Sequence, residues 1–478
     1  MGQSPAQSLN WVKYSAHKLL KFKPFSNRIA RSGNTLNAVP FEAQNSTFVG
    51  LRHGGKTATA PYLSESTQGQ WETGTTASPG AMQQGRSGES TCYGGRRMHA
   101  DLHTRELLRA IVREDAAPNR EMLARLAQAI PDWNGLIDLA LAHRLGPLLF
   151  SRLKEAGEQV PAEAKERLER EYTRNVFHSI ANSAELAAIL LSFNEAGIPA
   201  MPFKGVVLAA SLYRDFTLRS AGDLDFLVYE RDLQRASSAL QARGYELKTE
   251  TLADGTPAKL DYFEFHFERS SDGMVVELRW KLELQERFQR DLGMDWVWPR
   301  RVYAKVGGVD APNLDPIANL LVLCMHGSKH FWSRMIWICD VARLVDAHPD
   351  LDWEEVAREA KRRGLWRAVA LGVLLAQSLC GASVPEQALK GFASDRATRE
   401  LAAHFEQSIL DEPGKAPPGR LPYSLRILDR ADRVRWLLRG EFFRPNERDV
   451  AAVRLPSVLR PLYFFVRPLR VLFDRSAR

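Results

Sequence analysis

Asp223 and Asp225 are the two residues whose type and spacing speak most directly of chemistry. They lie in the stretch from Pro199 to Val228, PAMPFKGVVLAASLYRDFTLRSAGDLDFLV. It reads as a strand, a tight turn at Lys204-Gly205, a short helix, a loop and a second strand. Side chains two apart on a strand share a face, so the two carboxylates point the same way, roughly 7 Å apart at the backbone. Leu224 and Phe226 point the other way, into a core. Paired carboxylates on a half-buried strand repel each other, and a cation bound between them relieves that cost. Hard oxygen ligands at this spacing suit Mg²⁺ or Mn²⁺ with a nucleotide's phosphates completing the shell. A solvated pair with one Asp capping a turn is the plainer alternative. Lys204-Gly205 opens a helix after an apolar strand, which makes a seat for phosphate. Arg219, four residues before Asp223, is placed to reach a phosphate oxygen.

A further acid stands downstream. Tyr262–Glu268 and Met274–Arg279 alternate as strands on either side of Ser270-Ser271-Asp272-Gly273, a hairpin signal. Glu277 is mid-strand with Val276 and Leu278 on the opposite face. It is either an exposed edge residue or a group held by a ligand.

The patterns F-K-G-x-x-L-x-x-x-L-Y from Phe203 and L-R-S-x-x-D-L-D-F-L-V from Leu218 resemble the bacterial uncharacterised nucleotidyltransferase family of the polymerase-β-like superfamily. The resemblance runs from about Leu102 to the C-terminus. It implies an α+β fold, a mixed sheet with helices flanked by N- and C-terminal helical regions. It also implies that Asp223, Asp225 and Glu277 are catalytic metal ligands and that Lys204, Gly205 and Arg219 bind the nucleotide. Two positions depart from the pattern. Val206 follows Gly205 where the superfamily has Ser, and Arg279 stands where the family pattern has His.

Helices must frame this unit. Residues 98–197 read as a helical region, with Leu107, Leu108 and Ile111 and then Leu123, Leu126 and Ile130 at helical spacing. LIDLALAHRLGPLLFSRL follows, broken at Gly146-Pro147, and His143 within it reads as a packed or capping histidine. A long helix from about Ala162 to Ala196 stops at Gly197. Residues 198–305 form the α/β core, with a helix Arg231–Arg243 and a strand Tyr245–Thr251. Residues 306–400 return to helices. There His326 and His330 share one helix face but lack the Glu of a zinc motif. By resemblance, His330, Trp332, Arg334 and Asp340, with Arg279, line a nucleotide or acceptor cleft. The alternative is structural, with Asp340 paired to Arg334 or Arg343. Residues 401–478 read as a linker, a helix Tyr423–Arg439 and an apolar, basic tail. Pro456, Pro461 and Pro468 argue against one continuous amphipathic helix there, so the tail is expected to pack on the body rather than lie on a membrane surface.

Composition bounds the function. The net charge of +8 is concentrated in residues 1–97, which hold eleven Lys/Arg, four Glu and no Asp. The remaining residues carry 54 basic and 53 acidic side chains, so no dedicated nucleic-acid surface is indicated. The first 97 residues are rich in Ser, Thr, Gly, Gln and Asn and read as disordered, as a transit segment, or as sequence upstream of a true start at Met98. Ala6 argues against a myristoylation signal at Gly2. Cys92, Cys324, Cys339 and Cys380 show no disulfide or zinc spacing, which fits the cytoplasm. No apolar run reaches the about 18 residues of a membrane span. The expected activity is metal-dependent transfer of a nucleoside monophosphate from a nucleoside triphosphate to a hydroxyl-bearing small molecule, peptide or protein. The alternatives are a degenerate nucleotide-binding protein and a helical scaffold.

Overall fold

A computed structural model describes residues 101–113, 120–157, 160–249, 263–282, 292–410, 423, 426–428, 453 and 462–473, together with Arg52–His53 and Lys56–Thr57. The chain divides into two units, Met1–Thr91 and Cys92–Arg478. In the first, Arg52–His53 pairs antiparallel with Lys56–Thr57. The rest of the reading of residues 1–97 lies outside the described residues.

The second unit begins with helices α1 (Leu102–Val112), α2 (Arg120–Gln128), α3 (Trp133–Ala142), α4 (Gly146–Ala156) and α5 (Ala162–Glu195). Their starts follow ordinary capping chemistry: Asp101 accepts from the Thr104 N–H and Asp132 from the Gly135 N–H. Gly146-Pro147 does not kink one helix but separates two, Pro147 serving in the first turn of α4. The 34-residue α5 is long and apolar enough to cross a membrane. Its Leu186, Ile189 and Phe193 are buried against the sheet, and Asn182 donates to the Ala221 carbonyl.

Gly197, at φ +63, turns the chain into strand β1 (Ala200–Phe203), followed by α6 (Gly205–Leu212), β2 (Leu224–Val228), α7 (Leu233–Ala242), β3 (Glu246–Leu247), β4 (Glu264–Arg269) and β5 (Met274–Arg279). The five strands form a mixed sheet in the order β1-β2-β5-β4-β3, in which only β2 and β5 run parallel. This is the mixed sheet with flanking helices, of α+β class, that the motifs implied. Leu224, Phe226, Val228, Val276 and Leu278 face α5 and α7. Asp225, Glu277, Arg279 and Glu264 occupy the other face, because the strand period is two.

A short helix α8 (Met294–Val297) leads to a hairpin, β6 (Val302–Val306) and β7 (Val309–Asn313), that the sequence reading placed in no strand. Its signal was Gly307-Gly308, which adopts φ +56 and +87 as a two-residue turn requires. Then come α9 (Pro316–Lys329), α10 (Met335–Ala347), α11 (Trp353–Arg362), α12 (Trp366–Leu375), α13 (Glu386–Phe392) and α14 (Arg396–Ser408). Helices before and after the sheet share one apolar core, which also takes in Met201, Phe203 and Leu227. Cys324, Cys339 and Cys380 are buried in it as small apolar groups. The last described element, α15 (Tyr463–Phe473), carries Pro468 inside it, and Phe464, Phe465 and Leu469 are exposed, so the helix continues through a proline expected to break it. The helix expected over Tyr423–Arg439 lies almost wholly outside the described residues.

Candidate active site

The site is built on the turn from β1 to α6 and on the register of β2 with β5. Lys204 leaves β1 at φ 59, ψ −149, a region that residues other than glycine rarely adopt. Gly205 follows at φ 41, and a Cβ there would lie 3.2 Å from the Asp223 carbonyl oxygen. The turn and the acidic strand therefore approach backbone to backbone, and a side chain there would have to push the strand back on a backbone that favours glycine. Parallel pairing sets Asp225 directly opposite Glu277, and antiparallel pairing sets Glu264 opposite Arg279. Asp223, just before β2, completes the group. One ligand atom each from Asp223, Asp225 and Glu277 can be chosen so that all lie within 4.8 Å of one another. The three carboxylates read from the sequence are thus adjacent.

Four carboxylates would not share this face without cations. Arg279 is buried, with Nε 3.2 Å from Asp225 Oδ1 and Nη2 2.7 Å from Glu264 Oε2, and Nη2 also pairs with Glu277. Lys204 Nζ lies 3.7 Å from Asp225 Oδ1 and 4.8 Å from the centre of the Phe203 ring. Burial, with the charges of Glu277 and Asp223, pushes the Asp225 carboxyl up to about 7 against the pull of Lys204. Burial acts on Glu277 in the same sense, but Arg279 overrides it and holds that carboxyl at about 2. Burial raises Glu264 and lowers Lys204. Asp225 Oδ1 is buried and accepts no hydrogen bond, and the donor set is all oxygen. The residues therefore fit Mg²⁺ or Mn²⁺.

The helical layer supplies the opposite wall. Burial, then the charges of Lys204 and Lys329 respectively, hold the His326 and His330 imidazoles neutral. Their rings pack 4.7 Å apart and each lies 5.2 Å from Trp337. Among the described residues no third ligand gathers with them for a transition metal. His143 caps as expected: its Nδ1 accepts the Met335 N–H at 3.2 Å, and its carbonyl accepts the Ile336 N–H at 3.3 Å. Arg144, in the left-handed region at φ 58, and Arg334, the residue before α10, are brought together by those two bonds. Both guanidiniums feel the charge of Asp223.

Two expectations need correction. Arg219 is not directed at a phosphate; its Nε and Nη2 lie 2.8 and 2.9 Å from the two oxygens of Asp340, and its Nη1 donates to the Gly205 carbonyl at 3.2 Å. Asp340 does not line a cleft; it is fully buried and also accepts from the Tyr213 hydroxyl at 2.7 Å. The structural alternative for Asp340 thus holds in kind, with Arg219 as a partner. Together Arg219 and Asp340 brace the turn from α10. Trp332 is likewise buried, against Gly327 and Gly372. Arg144, Glu264 and Lys329 were missed. The hairpin register could have given Glu264, since the Asp272-Gly273 turn sets it opposite Arg279.

A family model described as "Uncharacterised nucleotidyltransferase" matches residues 130–381, more than half of the chain. The chain belongs to this family. No curated protein and no solved structure matches. The matched segment of this nucleotidyltransferase contains the turn, the three carboxylates, Arg279 and the helical residues Arg144, Lys329 and Arg334.

Proposed function

We propose that this nucleotidyltransferase transfers a nucleoside monophosphate from a nucleoside triphosphate to a hydroxyl-bearing acceptor, with Mg²⁺ or Mn²⁺ held by Asp223, Asp225 and Glu277. The observation that carries the reading is the register of Asp225 with Glu277 beside the Gly205 turn. A bound divalent ion supplies charge neutralisation of the phosphates and acidifies the attacking hydroxyl. The chain's own residues do the rest. Backbone N–H groups after Gly205 face the phosphates at the start of α6, and Lys204, behind Asp225, adds positive charge there. The acceptor oxygen bonds to the α-phosphorus, the bond from that phosphorus to the bridging oxygen breaks, and pyrophosphate leaves with the electron pair. The hydroxyl proton passes to a carboxylate of the cluster. Arg219 and Asp340 hold the Gly205 carbonyl, fixing the turn's direction rather than touching substrate.

A second reading, nucleotide binding without turnover, is favoured by Val206 in place of a hydroxyl residue and by Arg279 lying across three of the carboxylates. Thermal unfolding with each nucleoside triphosphate, in Mg²⁺ or in EDTA, tests both, alongside Asp223→Asn and Asp225→Asn. A ligand at a hundred times its Kd adds about 2.7 kcal/mol. The transfer reading expects Mg²⁺-dependent stabilisation that both variants lose, and slow pyrophosphate release. Stabilisation without pyrophosphate release under any acceptor supports the second reading. No stabilisation by any nucleotide refutes both.

A further inference from the structure

We propose that Arg144 and Arg334 form a two-arginine anion clamp that takes the terminal phosphates of the donor, performing from the helical layer the task that a hydroxyl residue after Gly205 would perform from the turn. The identity of the anion rests on the nucleotide-transfer reading; the existence of the clamp does not.

The geometry starts at His143. Its side chain accepts the Met335 N–H and its carbonyl accepts the Ile336 N–H, so the end of α3 is fastened to the first turn of α10. The residue after His143 and the residue before Met335 are both arginines. The two bonds to His143 thereby bring the backbones of two arginines together. Among the described residues neither guanidinium has an ion-pair or hydrogen-bonding partner; Arg334 lies over the Trp337 ring at 5.5 Å. The other two arginines of the site are saturated: Arg219 by Asp340 and the Gly205 carbonyl, Arg279 by three carboxylates. Burial first, and then the charge of Arg334, lower Arg144 to about 10. Arg144 also holds a left-handed backbone at φ 58, which a non-glycine residue adopts at a cost. Two half-buried like charges are stabilised by a multiply charged anion bridging them, and guanidinium forks match phosphate oxygens.

The direction of the ligand follows. Gly205 presses on the Asp223 backbone, and Asp223 is the site carboxylate whose charge both arginines feel. Glu277 and Glu264 lie further along the sheet, tied to Arg279. A polyphosphate seated at the turn therefore has its α-phosphate beside the carboxylates and its terminal phosphates at the clamp.

Isothermal titration of the full chain with inorganic tripolyphosphate, pyrophosphate and orthophosphate in EDTA tests this. Arg144→Asn, which tolerates the left-handed backbone, Arg334→Gln, the double variant and Arg144→Lys are compared with the parent. The expected result is binding in the order tripolyphosphate, pyrophosphate, orthophosphate. Each neutral substitution weakens tripolyphosphate at least tenfold, and Arg144→Lys retains part of the affinity. With Mg²⁺, the same substitutions weaken a nucleoside triphosphate but not its monophosphate. Unchanged tripolyphosphate affinity in folded single variants overturns the clamp. So does equal weakening of triphosphate and monophosphate. Should the double variant not fold, the single variants and Arg144→Lys decide. The parent separates the two proposals: Arg-dependent tripolyphosphate binding in EDTA without any Mg²⁺-dependent nucleotide binding leaves the clamp standing and the transfer reading fallen.

Discussion

His143 should make the protein sensitive to mild acid, and the size of the effect can be worked out. The imidazole is fully buried, its Nδ1 must stay unprotonated to accept the Met335 N–H, and Nε2 has no partner. Burial first, and then the positive charge of Arg334, lower it from 6.5 to about 3. The neutral form is thus the one the fold prefers. Protons bind the unfolded chain more readily, so stability is fully present above pH 6.5 and is lost as pH falls from there towards 3. At 1.36 kcal/mol per unit, the loss from this group alone is about 2 kcal/mol at pH 5 and about 3 kcal/mol at pH 4. His143→Asn isolates it. The asparagine carbonyl oxygen can stand where Nδ1 stands and cannot titrate, at a packing cost of about 1–2 kcal/mol at pH 7. Urea unfolding of both proteins at pH 7 and pH 5 gives four free energies. The parent should lose about 2 kcal/mol more than the variant between the two pH values, all other titrations being common to both. Equal losses would refute the argument, because they would mean that His143 either stays accessible to protons or does not need its acceptor nitrogen.

Three other substitutions probe the frame of the site. Arg219→Met takes from the buried Asp340 its two-point guanidinium partner and should cost about 3–5 kcal/mol, most of it regained in Arg219→Met/Asp340→Leu; thermal unfolding of the single and double variants checks this. Gly205→Ala places a Cβ 3.2 Å from the Asp223 carbonyl on a backbone at φ 41, so it should cost about 1–2 kcal/mol and weaken Mg²⁺-dependent nucleotide binding, read by unfolding and calorimetry. Gly327→Ala drives a Cβ to 2.4 Å from the Trp332 ring, and urea unfolding should show a loss of about 1–3 kcal/mol with a changed tryptophan fluorescence.

What could be read from the sequence was local in period. Alternation put Asp223, Asp225 and Glu277 on strand faces, and Asp272-Gly273 fixed the hairpin that carries Glu277. Those residues lie within one supersecondary unit, where spacing determines which side chains share a face. Arg219 shows where that reasoning ends. Its position before Asp223 suggested a phosphate contact, but its partner, Asp340, is 121 residues away on α10. Nothing in local spacing tells an arginine whether a ligand or a distant helix will neutralise it. The same holds for Arg144, whose neighbour Arg334 arrives only because His143 caps another helix 192 residues on. The β6–β7 hairpin is a different kind of omission: Gly307-Gly308 between alternating residues was a legible turn signal.

Arg279 marks the sharpest conflict between stability and ligand binding. It pairs with Asp225, Glu264 and Glu277 at once. A permanently charged guanidinium stabilises a carboxylate cluster that a neutral imidazole would leave repelling. It also competes for the same oxygens as a metal. The geometry limits that competition, because Asp223 takes no part in the Arg279 pairs. Arg279 therefore acts as a fixed cation over Asp225, Glu264 and Glu277, and Asp223 is the carboxylate of the group that it leaves untouched.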